Sequence, residues 1–189
     1  MPPGTIEFGG LYQQQQESFR NLLMVLLMAI LLVFIVLLVE FRSFMQAFSI
    51  ITGAFLAIFG SVLALWITKT DLNVVSFLGI IIGIGIVAKN GILMLDRVDH
   101  LLGENMTIEE ALVQSGRRRL RPVLMTSLAA MLGMLPLAWG VGIGSDMLRP
   151  MAITVIGALF ISVLLSLVAT PAIYYLMIKI RLWFSFFKK

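Results

Sequence analysis

Apolar residues run along this chain in five long stretches, 21–39, 47–68, 72–95, 122–143 and 151–178, divided by polar segments. At 1.5 Å per residue each stretch can cross a hydrocarbon layer of roughly 30 Å as a helix. Lipid offers the backbone no hydrogen-bond partner, so a spanning segment has to close its own bonds. Runs this long, without the period-2 alternation of barrel strands, do so as helices. The pattern therefore predicts an all-α membrane protein of five transmembrane helices. Pro122 and Pro150 fit first-turn positions, whereas Pro136 and Pro171 fall inside spans and predict kinks.

The polar segments set the organisation. Residues 1–20 are rich in glutamine, carry Glu7 and Glu17, and do not read as a cleavable signal, so the first span is expected to act as its own insertion signal. Residues 40–46, 69–71 and 144–150 are short connections that tie neighbouring helices antiparallel. The longer segment, 96–121, places Thr107 and Glu110 at capping-box spacing ahead of Arg117-Arg118-Arg119, which predicts a short amphipathic helix at the membrane surface. Residues 179–189 form a basic tail.

Composition and charge add orientation and exclude chemistry. Of the chain, 60% is hydrophobic and only 13% charged, far from the balance of a soluble domain. Arg20, Lys69 and Arg149 fall on one side of the spans; Arg42, Arg97, the arginines at 117, 118, 119 and 121, and the four basic residues of the tail fall on the other. That bias puts residues 1–20 outside, 96–121 and the C-terminus in the cytoplasm. Cysteine is absent and histidine is limited to His100, so thiolate catalysis, Cys-based metal sites and His clusters are not expected, nor any cofactor. Nothing in the charge pattern calls for nucleic acid.

Within the five stretches one side chain is charged: Lys89, followed at once by Asn90. It lies six residues from the end of its stretch, about 9 Å along the helix. A lysine at that depth can snorkel to the interface. Otherwise it has to face a bundle interior and pair, because a charge in a span costs about 3 kcal/mol on insertion scales. No Asp or Glu lies inside any stretch, so the internal candidates are Asn90, Thr126 and Ser127, the last two entering the fourth span from the same side. Such a cluster lacks the carboxylate that a proton relay needs. Gly53, Ala57 and Ser61, and Gly79 and Gly83, stand at helix-contact spacing and predict close packing. Gly83, Gly85 and Ala88 imitate a dinucleotide fingerprint but have no strand before them. Met131 with Met134, and Met147 with Met151, have ligand-like spacing but read as polarizable filler.

Several segments resemble the resistance-nodulation-division (RND) efflux permeases of bacterial inner membranes: IEFGGLYQQQQESF, VEFRSF, GIIIGIGIVAKNGILMLD, RRRLRPVLMTSLAAMLGMLPLA and GIGSDMLRPMAITVIGA, in order along nearly the whole chain. The resemblance is to the last five of twelve membrane helices and the end of the second periplasmic region. It implies a trimeric pump that couples proton entry to export of drugs, amphiphiles or metal ions and works with a membrane-fusion adaptor and an outer-membrane channel. It also implies that Lys89 pairs with aspartates of the first half, with Asn90 beside it, that Thr126 is a relay hydroxyl, and that Arg119 lies near the cytoplasmic proton exit. The aspartates have no counterpart here.

The reading that follows is the C-terminal part of a proton-coupled RND-type permease, a truncated or split chain that needs the missing N-terminal half and is not expected to transport alone. The competing reading is a small membrane scaffold or interaction protein without transport activity. An enzyme is not expected, because no span carries paired aspartates, Ser with His, or a His cluster.

Overall fold

The computed structural model describes the backbone of residues 10–142 and 144–187, and the side chains of 16–142, 144–163 and 172–179. The described residues form five helices and no strand: α1 (Gly10–Phe41), α2 (Phe44–Thr68), α3 (Val74–Gly103), α4 (Ile108–Ala138) and α5 (Ser145–Phe187). All five are long and apolar enough to cross a membrane, as the hydrophobic pattern predicts. Residues 1–9 of the leading segment lie outside the described residues, and α1 begins at Gly10.

Local chemistry fixes where helices start and turn. The Thr107 and Glu110 capping box forms as its spacing predicts: Glu110 Oε2 accepts from the Thr107 hydroxyl at 2.9 Å and from its backbone N–H at 3.3 Å. Asn73 caps α3 in the same way, its Oδ1 accepting from the Ser76 N–H at 2.9 Å. α2 stops at Lys69, which adopts φ 52°, a left-handed conformation unusual for a residue with a Cβ.

The helices overrun the apolar stretches, because a helix is ended by capping and packing and not by leaving the hydrocarbon. α3 continues past Leu95 to Gly103, burying Val98 and Leu101. The expected surface helix and the fourth span are one continuous helix, α4, with Pro122 inside it and not in a first turn. Proline removes one N–H from the ladder. Here the turns before it are held from outside: Ala111 and Ser115 are fully buried, and Ser115 donates its hydroxyl to the Met94 carbonyl of α3 at 2.8 Å. Pro150 likewise lies beyond the first turn of α5, which starts at Ser145. The side chain of Pro171 lies outside the described residues.

Among the described residues α5 is the centre of the bundle, packing on α2, α3 and α4, while α1 rests on α2 and α3. Small residues make the closest approaches. Gly60 of α2 and Gly157 of α5 are in backbone contact, so that a Cβ at Gly60 would stand 2.7 Å from the Gly157 carbonyl oxygen. A Cβ at Gly79 would fall on the Thr154 hydroxyl, and one at Gly83 would stand 2.6 Å from the Ala158 Cβ. Gly53, Ala57 and Ser61 are buried, and Ser61 donates to the Thr154 carbonyl at 3.0 Å. The rows read from the sequence as packing surfaces are where α2 and α3 meet their neighbours.

Candidate functional site

α3 buries most of its circumference, yet one stripe stays uncovered: Leu78, Ile82, Gly85, Lys89, Leu93 and Asp96 are all exposed. Their spacing of three and four residues puts them on a single face. Gly85 has no atom within 4 Å of where a Cβ would stand. Lys89 therefore sits in the middle of a largely apolar stripe that the described residues of the other helices leave exposed. Asp96, on the same stripe, lies two turns further toward the α3 C-terminus.

Asn90, one residue on, points the other way and is buried, with its Nδ2 lacking a hydrogen-bond partner. The fourth helix divides in the same manner. Thr126 is exposed and its hydroxyl is bonded locally, to the Pro122 carbonyl at 3.0 Å and the Val123 carbonyl at 3.2 Å. Ser127 is buried and its Oγ has no partner among the described residues. No hydrogen bond joins Lys89, Asn90, Thr126 and Ser127 among the described residues. Consecutive helical residues are about 100° apart around the axis, so each adjacent pair is split between the uncovered surface and the interior.

Arg119 is half-buried beside the exposed Arg117, Arg118 and Arg121. Among the described residues the one ion pair joins His100 Nδ1 and Glu104 Oε1 at 3.2 Å, on the surface. The arginines are thus without carboxylate partners among the described residues, and no group of three or more His, Cys, Asp and Glu there is placed to hold a metal ion.

One polar assembly has no forerunner in the sequence reading. Gln46 of α2 is buried and donates Nε2 to both carboxylate oxygens of Asp99 on α3, each at 2.7 Å, and lies 3.5 Å from the Tyr174 hydroxyl of α5. The next residue, Tyr175, donates to Glu109 Oε1 of α4 at 2.9 Å. Two consecutive tyrosines thus tie α5 to α2 and α4 at one end of the bundle, and through Gln46 to Asp99 of α3. The available signal was weak: Gln46 falls in what reads as a loop, and Asp99 follows the apparent end of the third span.

Five helices with this arrangement match known proteins over nearly their full extent. Two X-ray crystal structures of a heavy metal efflux pump, crystal forms II and I, align with TM-scores of 0.79 and 0.77 at 36% and 35% identity, each over 90% of this chain and 17% of the pump. The multidrug resistance protein MdtC of Citrobacter koseri is 37% identical over 186 residues, 97% of this chain and 18% of its own length. The chain thus spans less than a fifth of the length of these relatives. The profile of the AcrB/AcrD/AcrF family covers residues 1–178, all five spans and the polar segments between them, and the chain belongs to that family.

Proposed function

We propose that these five helices are the C-terminal membrane part of a proton-coupled efflux permease of the bacterial inner membrane, and that they act together with the remainder of such a permease. The uncovered stripe around Lys89 carries this reading. A lysine within a span needs a partner, none of the carboxylates of this chain pairs with it among the described residues, and the helix face that bears it is apolar and open. A second set of helices presenting carboxylates to that face would supply what the lysine lacks. Lys89 would then be the charged partner of a proton-binding carboxylate, with the exposed Thr126 as an alternative hydrogen-bond partner and Arg119 toward the cytoplasmic exit, while the buried Asn90 faces the interior of these five helices. Export of drugs, amphiphiles or metal ions fits the relatives, one a multidrug resistance protein and the other a heavy metal efflux pump. A trimer joined to an adaptor and an outer-membrane channel completes the assembly. The bias of the basic residues supports a cytoplasmic position for 96–121 and the C-terminus.

Two measurements test this. Reporter fusions at Gly103 and after Lys189 should read cytoplasmic and one at Gly144 external; an external signal at Gly103 reverses the topology. The docking face is tested by co-expressing the chain with the preceding membrane helices of a related permease. The two should co-purify, and Gly85→Leu, whose Cβ meets nothing within 4 Å among the described residues, should weaken capture about tenfold, equivalent to 1.4 kcal/mol. Equal capture of the parent and Gly85→Leu removes the docking face. Absence of capture of the parent leaves the scaffold reading.

A further inference from the structure

At the end of the bundle where α2 and α4 finish and α5 begins, an open groove of about 390 Å³ lies between three helices. Ile153, Gly157 and Phe160 of α5 form its floor, Ala64 and Ile67 of α2 one wall, and Leu135 of α4 the other. The backbones of α2 and α4 do not approach each other closely among the described residues, which leaves space between them. The groove exposes no polar surface, and it lies within segments apolar enough to span a membrane.

The residues next to its lining along the chain have a different chemistry. Trp66 and Trp139, each one residue from a groove-lining position, are 80% and 74% exposed. Exposed tryptophans at helix ends mark the level of lipid headgroups. Beyond them stand two cations. Lys69 follows Thr68, the last residue of α2, and Arg149 lies one turn before Ile153 on the same face of α5. Both are exposed, and neither is in an ion pair among the described residues.

An apolar groove flanked along the chain by two exposed tryptophans and two cations without ion-pair partners among the described residues matches a molecule with a hydrocarbon tail and an anionic head. We propose that the groove holds one acyl chain of an anionic phospholipid whose phosphate is bound by Lys69 and Arg149. The tail replaces contacts that the gap between α2 and α4 leaves unmade, and the two cations select the headgroup. This site rests on the membrane-spanning character of the helices alone, and not on the proposed export function.

The test uses phosphatidylglycerol and phosphatidylcholine, each spin-labelled on the tail, in proteoliposomes of the whole chain. Electron paramagnetic resonance separates lipid held by the protein from free lipid. The parent should prefer phosphatidylglycerol over phosphatidylcholine about fivefold, the equivalent of about 1 kcal/mol for a cation at the membrane surface. The double variant Lys69→Gln/Arg149→Gln should lose most of that preference although every cytoplasmic arginine remains. Leu135→Trp, which fills the groove, should lower the held fraction of phosphatidylglycerol in protein with an unchanged unfolding midpoint. A preference that survives the double variant belongs to the cytoplasmic arginines and overturns the proposal. So does a held fraction unaffected by Leu135→Trp, which is the result expected if another helix or a second copy covers the groove.

Discussion

Lys89→Ala is expected to abolish export by the completed permease while leaving the chain inserted and the five helices packed. Insertion should be easier, because the substitution removes a charge from the span, where the cost reaches about 3 kcal/mol at the centre and is less toward the ends. Packing should hold because the Lys89 side chain is exposed. The loss of export follows from charge. A carboxylate facing Lys89 is stabilised in its ionised form by the ammonium, and binding a proton cancels that attraction. The freed lysine can then turn toward other partners, so that one protonation biases two arrangements of the helices. Lys89→Arg should also be inactive or weak, since the planar guanidinium needs a different pairing geometry. Thr126→Ala should reduce export less, because it removes a neutral hydroxyl already bonded to its own helix. Resistance assays at matched expression check the series; export by Lys89→Ala at the parental level would make the lysine a snorkelling bystander.

The largest stability effect should come from Gly157→Val. A Cβ there runs into the Ala64 Cβ and stands 2.6 Å from the Gly60 carbonyl oxygen. The obstruction on the α2 side is partly backbone, so α2 and α5 have to separate to admit the side chain. Overpacking in cores costs about 1 to 3 kcal/mol where side chains can yield, and the upper end of that range or more is expected here. Gly133→Ala on α4 is the control: nothing lies within 4 Å of the added Cβ, and the gain in helix propensity is about 1 kcal/mol. Unfolding of both variants in detergent should shift in opposite directions. A Gly157→Val midpoint equal to that of the parent would mean that α2 and α5 do not depend on this contact.

The number of helices, their composition and their antiparallel neighbours could be read from the sequence because membrane insertion is a local property. Twenty or so apolar residues partition into lipid whatever surrounds them, and short connections then leave little choice of neighbour. The Thr107 and Glu110 cap and the small-residue rows were legible for the same reason, being sets of residues within one or two turns. The rotation of each helix about its axis was not. In a chain whose helices are apolar on nearly every face, no polar side announces which stripe turns inward.

Only the packing of α3 against α2 and α5 decided that Lys89 faces out while Asn90, its neighbour, faces in. Packing also carried α4 through Pro122, because Ala111 and Ser115 are held against the rest of the bundle before the helix reaches the proline. It likewise brought Gln46, Asp99 and Tyr174 together from three helices, residues whose separation along the chain leaves no periodic signal. Hydrophobicity, summed along the chain, determined what enters the membrane; which face of each helix meets another was set by close packing between residues distant in sequence.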